Sequence, residues 1–212
     1  MNGPTHMTYG MASFAILAGP VSHTLGVPEI PDWGIPIGLC LGSVAGLLPD
    51  IDEPNAMLAR GSWVPRKLGP LARFIGTIVS LPFKIAGYFI KGTLGHRGGT
   101  HSLAMSVLFT LLFAIPVTLF LGFEWDWLIW TLWFGFMSHL FADMFNPSGV
   151  PFLWPIKSKN KTYHVLPKKL RIPTQTPPNI REQGCRMAAY GVTIACLGIW
   201  YVIPFLFQLT GV

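Results

Sequence analysis

Apolar stretches with at most one charged residue alternate with polar segments along most of the chain. Five of these stretches have the length of a membrane span or come close to it, and they cover residues 7–27, 33–48, 102–123, 127–145 and 187–212. About 20 apolar residues in a helix cross the hydrocarbon core of a bilayer. The pattern therefore predicts an all-α fold, a polytopic transmembrane helical bundle with about five spans.

The distribution of lysine and arginine predicts which helix ends face the cytoplasm. Nearly all of the basic residues fall in residues 51–73, 91–97 and 157–186, whereas the loops at 28–32 and 124–126 hold none. Cytoplasmic loops of membrane proteins carry an excess of Lys and Arg. We therefore place the three basic segments and the N-terminus inside, and the two acidic loops and the C-terminus outside.

A sixth apolar stretch, residues 71–90, does not fit this topology as a single crossing. Arg73, Pro82 and Lys84 interrupt it, and both of its ends adjoin basic segments. A helix that starts and ends on one side of a membrane lies in the interface or re-enters the bilayer. We predict an interfacial or re-entrant helical segment, with Arg73, Lys84 and Lys91 held at the headgroups.

Composition agrees with a membrane protein and bounds the number of domains. Of 212 residues, 51% are hydrophobic and only 11% are charged, with a mean hydropathy of +0.49, whereas a soluble domain carries about 25% charged residues. A solvated globular surface is therefore hard to build, and a disordered chain is excluded because the apolar content is too high. Residues 1–212 are predicted to form a single membrane-embedded helical domain, and residues 146–186 a long basic cytoplasmic loop within it.

The net charge of +6 arises from 15 Lys+Arg against 9 Asp+Glu. The positive-inside rule accounts for this excess, and the chain has no basic module with interleaved aromatic residues. We therefore expect membrane lipids as partners and no nucleic acid. No oligomeric state follows from the sequence.

The second span is short and rich in glycine. Four glycines recur at every fourth position, namely Gly34, Gly38, Gly42 and Gly46. This spacing puts them on one stripe of a helix, where another backbone can approach closely. Pro49 disfavours helical geometry at the residue before it, so the helix is expected to end at Leu48.

Two carboxylates follow that helix in the motif PDIDEP. Asp50 and Asp52 stand two residues apart between two prolines, and Asp50 continues the four-residue spacing of the glycines. Hard and borderline cations prefer anionic oxygen ligands, so both residues are candidate metal ligands. A solvated acidic turn at the membrane surface is the alternative.

A second polar motif, HRGGTHS, leads directly into an apolar span. His96 and His101 flank a glycine pair in this motif, and imidazoles are common metal ligands. Thr100 or Ser102 can cap the helix, and Arg97 beside the free N–H groups of a helix start can hold a phosphate or a carboxylate. The alternative is a hydrophilic junction with incidental histidines.

His139 and Asp143 lie four residues apart and share a helix face with Thr131 and Gly135. This face is small or polar, so it is expected to point into the bundle. A buried His–Asp pair is a common arrangement in metal sites, and a hydrogen-bonded pair without a metal is the alternative. A further histidine, His6, stands just before the first span.

Under the predicted topology, seven polar residues lie at the cytoplasmic ends of helices: His6, Asp50, Asp52, His96, His101, His139 and Asp143. Ionisable groups at membrane depth are costly, so four histidines and three aspartates at one level suggest a shared metal site. His23 lies at the opposite end and is interpreted as structural. His164 lies in the basic loop and is interpreted as solvent-exposed.

Three motifs, PDID, HRGGTHSL and SHLFADMFNPSGVPFLWP, stand in this order between apolar spans. They resemble the YdjM-like family of bacterial membrane-bound, metal-dependent hydrolases, and the resemblance covers residues 5–175. It implies a multi-pass protein of the bacterial cytoplasmic (inner) membrane with divalent-metal hydrolase activity. It also implies that the polar positions of the family pattern are carried by His6, Asp50, Asp52, His96, His101, His139 and Asp143.

These residues lead to the hypothesis of a metal-dependent hydrolase at the cytoplasmic face of the membrane. Mixed His and Asp ligands suit Zn²⁺ or Mn²⁺ better than Mg²⁺. Metal-activated water would attack a lipid-linked or phosphorylated amphiphile, with Asp52 as general base or bridging ligand and Arg97 holding the anionic group of the substrate. A transport-type protein, or a non-catalytic membrane protein with a structural His/Asp cluster, is the alternative.

Overall fold

The computed structural model describes the chain apart from residues 27, 54, 63, 65, 95–98, 159, 175–176 and 211–212, and apart from the side chains of residues 66, 94 and 210. The described residues form eight α-helices: α1 (Gly3–Ile16), α2 (Ser22–Leu25), α3 (Gly34–Ala45), α4 (Gly69–Leu94), α5 (Leu103–Phe120), α6 (Asp126–Asp143), α7 (Ile180–Leu197) and α8 (Ile203–Thr210). Extended pairing in these residues is limited to a bridge between Val150 and Tyr163. The predicted all-α fold of a helical membrane protein is confirmed.

Helix α1 begins where the sequence supplies a cap. The Asn2 side chain accepts a hydrogen bond from the backbone N–H of Thr5, and a proline occupies the first turn, where its missing N–H is not needed. The helix continues through a π-helical turn, Leu17–Val21, into α2. This turn contains Pro20, so the predicted kink at Gly19-Pro20 is a π-helical turn within one continuous helical segment.

The predicted glycine stripe of α3 is the surface against which α1 packs. A Cβ atom built at Gly38 would lie 2.1 Å from the ring of Phe14, and one built at Gly46 would lie 2.5 Å from the carbonyl oxygen of His6. Neither position has room for a side chain. Because α1 also packs against α6 and α7, it lies at the centre of the bundle and carries His6 there.

Helix α3 ends at Ala45, three residues before the expected Leu48. The chain then forms a 3₁₀ turn, Leu48–Asp52, which has Pro49 at its start. Pro49 therefore stands in the first turn of a separate 3₁₀ element, after the α-helix has already ended. This turn carries Asp50.

The buried core lies between α1, α3 and α6. One apolar cluster is centred on Phe14 and Trp127. A second cluster, which includes Leu47, Phe136 and Leu140, lies nearer the helix ends that carry the candidate ligands.

Three helical stretches are long and apolar enough to cross a membrane: Gly69–Thr93, Leu103–Phe120 and Ile180–Leu209. Helix α3 is apolar but shorter, and α6 has polar residues on its buried face. The number of crossings, about five, stays a prediction. The predicted interfacial segment forms one continuous helix, α4, through Pro82.

The last long helix begins earlier than the sequence pattern predicts. Helix α7 starts at Ile180, because the Asn179 side chain caps it by accepting the backbone N–H of Glu182. The span expected from residue 187 therefore gains two turns at its start. The basic loop expected over residues 146–186 correspondingly ends at residue 179.

Candidate metal centre

Five of the predicted site residues converge at one end of the bundle. His6 stands in the first turn of α1, and Asp50 lies in the 3₁₀ turn after α3. His101 directly precedes the cap of α5, while His139 and Asp143 occupy the last turns of α6. Four separate chain segments thus bring these side chains together.

The ligand atoms of these residues form two overlapping groups. Those of His6, Asp50 and His139 lie within 4.8 Å of one another, and so do those of His101, His139 and Asp143. The three histidines and Asp143 are each at most 1% exposed, whereas the side chain of Asp50 is 22% exposed. Asp50 is therefore the most accessible member of the cluster.

Hydrogen bonds fix which ring nitrogen of His139 carries a proton. Its Nδ1 lies 2.7 Å from the carbonyl oxygen of Gly46, and a carbonyl oxygen only accepts hydrogen bonds. Nδ1–H therefore donates to Gly46, and the Nε2 lone pair of the neutral ring is left free. In this state His139 has one nitrogen available to bind a metal ion.

A series of hydrogen bonds determines which ring nitrogen of His101 carries a proton. The Thr100 hydroxyl donates to Oδ2 of Asp52 at 2.9 Å, and it lies 3.1 Å from Nδ1 of His101. Because the hydroxyl proton is used toward Asp52, the oxygen accepts from Nδ1–H of His101. The Nε2 lone pair of His101 is thereby free as well.

The two free nitrogens face each other. Nε2 of His101 and Nε2 of His139 are 3.3 Å apart, and two lone pairs at this distance repel unless a cation lies between them. Two nitrogens that bind one tetrahedral Zn²⁺ at about 2.0–2.1 Å are about 3.3–3.4 Å apart. Oδ1 of Asp50 lies 3.4 Å from the His101 nitrogen. The donor set and its spacing fit a divalent cation.

His6 and Asn146 add further buried polar atoms to the cluster. Nε2 of His6 lies 3.2 Å from Oδ1 of Asp143, which also accepts a hydrogen bond from the Asn146 amide at 2.6 Å. Nδ1 of His6 and Oδ1 of Asn146 are buried without a hydrogen-bond partner among the described residues. Unpaired buried donors and acceptors are uncommon, and both atoms can ligate a cation.

The remaining predicted site residues have a different placement. Asp52 is fully buried against Thr100 and belongs to neither group of ligand atoms among the described residues. It lies behind His101, so the structure does not bring it to the position expected of a bridging ligand. His96 and Arg97 lie outside the described residues.

The electrostatic environment of Asp50 favours its ionised form. Burial raises the pKa of Asp50, but when the neighbouring rings are protonated, the charge of His139 and a hydrogen bond from His101 lower this pKa by more in total. The pKa of this carboxyl group therefore lies well below its usual range. The carboxylate stays anionic, as a metal ligand must be.

Glu182 is a buried residue at this end that the sequence analysis did not single out. It is 0% exposed, and its Oε1 accepts hydrogen bonds from the backbone N–H of Asn2 at 2.5 Å and from the Thr5 hydroxyl at 3.0 Å. A carboxylate is favourable at a helix N-terminus. Glu182 thereby joins α7 to the first turn of α1, which carries His6.

The two histidines that were assigned no role differ in their surroundings. Nδ1 of His23 lies 3.0 Å from the carbonyl oxygen of Gly19, and its ring packs on Trp200, in agreement with a structural role. His164 is partly buried, and its Nε2 lies 3.1 Å from the carbonyl oxygen of Pro147. The expectation that His164 is simply solvent-exposed is therefore incomplete.

Comparisons with known proteins identify related chains. A family model described as YdjM inner membrane protein matches residues 1–207. Two curated proteins named Inner membrane protein YdjM, from Escherichia coli (strain K12) and Shigella flexneri, are each 33% identical over 129 residues. The match covers 58% of this chain and 52% of each relative, so the chain spans about half the length of the curated relatives it matches. No solved structure matches.

Proposed function

The chain belongs to the YdjM inner membrane protein family, and from that premise we propose that it is a metal-dependent hydrolase acting at the cytoplasmic face of the membrane. The observation that carries the proposal is the pair of facing imidazoles. Both Nδ1 atoms are held as donors by Gly46 and Thr100, and both Nε2 atoms point to one location beside two carboxylates.

The geometry supports one ion per chain. His139 belongs to both groups of ligand atoms, but its Nδ1 donates to Gly46, so a single nitrogen serves both groups. One nitrogen lone pair binds one ion. The mixed nitrogen and oxygen donors favour Zn²⁺ or Mn²⁺, whereas Mg²⁺ prefers an all-oxygen environment.

The residues around that ion have different proposed roles. His101, His139 and Asp143 hold it from the buried side, where solvent does not compete with them. When bound, a divalent ion supplies a hydroxide equivalent near neutral pH and polarises the bond under attack. Asp50 is ionised and the most accessible of the group, so it can ligate the ion or accept a proton on the side from which a substrate enters.

We assign Asp52 the role of orienting the His101 ring through Thr100. It fixes the Thr100 hydroxyl, which in turn holds the His101 ring in one tautomer. Partners of this kind behind a histidine raise ligand basicity and fix ring orientation. The role of general base that the sequence suggested for Asp52 is less well supported than this one.

The substrate class follows from the depth of the site and from one motif. The cluster lies at helix ends, where apolar helices meet polar turns, so a substrate with a headgroup and a hydrocarbon part can reach it from the membrane. Arg97, in the HRGG motif, is the candidate group for holding a phosphate or carboxylate. We therefore propose a lipid-linked or phosphorylated amphiphile as the substrate.

Metal analysis combined with hydrolysis assays tests the proposal. Full-length protein purified in detergent and exposed to Zn²⁺ or Mn²⁺ is expected to retain about one ion per chain. It should also release phosphate from phosphatidic acid, and chelation should stop the reaction. His139→Gln should lose both properties. Ser138→Ala, at the adjacent position of α6, removes a hydroxyl that donates to the Gly135 carbonyl of the same helix, and this variant should keep both.

Two outcomes would contradict the proposal in different ways. Wild-type protein that retains no divalent ion would remove the metal centre. Protein that retains the ion but hydrolyses neither phosphatidic acid nor other phosphorylated lipids would favour a non-catalytic membrane protein with a structural cluster.

A further inference from the structure

Helix α4 has three distinct stripes along its length. Its inward stripe is narrow and consists of the buried residues Gly76, Ser80 and Gly87 and the half-buried Phe83. Its basic residues are exposed, and at about 100° per residue Arg73, Lys84 and Lys91 fall within about 20° of one another. The remaining face is broad, apolar and exposed, and includes Leu71, Phe74, Ile75, Ile78, Leu81, Ile85 and Phe89.

The inward stripe packs against the polar segment that follows α3. A Cβ built at Gly76 would lie 2.7 Å from the Val64 side chain, and Phe83 packs against a cluster that contains Leu48 and Leu58. Near the other end, Lys91 pairs with Glu53 at 2.9 Å. Helix α4 therefore follows residues 48–64 over most of its length.

This packing constrains the orientation of α4. Gly76 and Lys91 are about 22 Å apart along a helix axis, so a spanning α4 would draw its partner segment through a large part of the bilayer. That segment carries Asp50, Asp52, Glu53 and Arg60, and charges at membrane depth are costly. An α4 that lies in the plane of the surface leaves all of these groups at the headgroup level.

We propose that α4 is an in-plane membrane-binding helix whose partner is anionic phospholipid. Its apolar face lies at the boundary between headgroups and acyl chains, as in other amphipathic interfacial helices. Its basic stripe binds phosphate headgroups, because a cluster of Lys and Arg at a membrane surface attracts anionic lipid. The same helix holds the Leu48–Asp52 turn, and with it Asp50, at the headgroup layer.

The proposal does not depend on hydrolysis or on metal binding. It chooses between the interfacial and the re-entrant arrangement that the sequence left open, and it opposes a crossing, which length and composition alone allow. A crossing α4 and an α4 whose apolar face is covered by a second copy of the chain are the competing arrangements.

Spin-label depth measurements test the orientation. Single cysteines replace Phe74, Ile78, Ile85 or Phe89 in the full-length chain, with the native Cys40, Cys185 and Cys196 replaced by serine. The labelled proteins are placed in nanodiscs of phosphatidylglycerol and phosphatidylcholine. An in-plane helix gives similar depths at all four positions. A depth that changes steadily by about 22 Å from residue 74 to residue 89, or labels that do not contact lipid, would overturn the proposal.

A lipid-selectivity measurement tests the partner. Spin-labelled phosphatidylglycerol should associate with the protein more than spin-labelled phosphatidylcholine does. The double variant Arg73→Gln, Lys84→Gln should lose at least half of that preference. The matched control Arg73→Lys, Lys84→Arg keeps both charges and should keep the preference. Equal selectivity in the glutamine variant and the control would exclude the basic stripe as the anionic-lipid surface.

Discussion

The imidazole of His6 stacks on that of His139, with ring centroids 3.6 Å apart and ring planes 14° apart. The two residues are brought together by the close approach of α1 to α3 and α6. Two parallel imidazoles in van der Waals contact cannot both carry a positive charge without strong repulsion, because both are buried. At most one ring of the stack can therefore be charged, and a neutral ring is the form that binds a metal ion.

Replacing His6 by phenylalanine separates its two contributions to the site. His6→Phe keeps an aromatic ring on His139 but removes both nitrogens, and we expect the affinity for Zn²⁺ to fall at least about tenfold. Competition with a chromophoric chelator measures this affinity. The control His23→Phe makes the same change at the opposite end of the bundle and should have no effect. An unchanged affinity in His6→Phe would show that His6 contributes by stacking alone.

The Thr100 hydroxyl is expected to control metal affinity through His101. Thr100→Val keeps the shape of the side chain but removes the link between Asp52 and His101, so affinity should fall by about 10- to 100-fold. Thr100→Ser keeps the hydroxyl and should retain most of the affinity. The same chelator competition distinguishes the two variants. Equal affinities for valine and serine at this position would contradict the proposed orienting role.

Metal affinity should fall as the pH is lowered. Protons and metal ions compete for the imidazole nitrogens, whereas the pKa of Asp50 lies below its usual range, so this carboxylate stays ionised in mild acid. The histidines should therefore determine the acid limit of binding. Chelator competition over about pH 5 to 8 measures the dependence, and affinity that is constant over this interval would contradict binding by histidine.

A methyl group at Gly46 should destabilise the bundle. Its Cβ would lie 2.5 Å from the carbonyl oxygen of His6, and overpacking of this kind costs about 1–3 kcal/mol. Gly46→Ala should therefore lower the thermal unfolding midpoint of the protein in detergent. Gly191→Ala is the matched control, because nothing lies within 4 Å of a Cβ at that helical position. Equal midpoints for the two variants would contradict the close packing of α1 on α3.

The ligand cluster could be predicted from the sequence because polar residues are rare in apolar helices. His139 and Asp143 occupy one face of α6 at a spacing of four, and both are buried. The sequence could not show in the same way which of Asp50 and Asp52 is the ligand. In a 3₁₀ turn, residues two positions apart point in directions that differ by about 240° around the helix axis. Only one of the two aspartates can therefore face His139. The direction of the turn decides which, and that depends on the packing of α1 and α4.

Groups that act through the backbone or across long distances could not be predicted. The Gly46 carbonyl holds His139, yet every residue has a carbonyl and the sequence marks none of them. Glu182 stands among charged residues at a helix start, where a solvated side chain is the usual outcome. Its burial follows from the packing of α7 on α1, which the hydropathy pattern does not specify.

The hydrogen bond from Asn2 to Glu182 joins residues 180 positions apart. During synthesis the N-terminal part of a chain emerges and begins to fold first, so α1 is made long before α7 exists. The first turn of α1 can therefore reach its final position only after the last long helix has been synthesised. In ribosome-bound intermediates that end before Glu182, the first turn of α1 should lack its hydrogen bonds to that side chain, so His6 should not yet be fixed in place. Formation of the site is then a late event in the biogenesis of the protein.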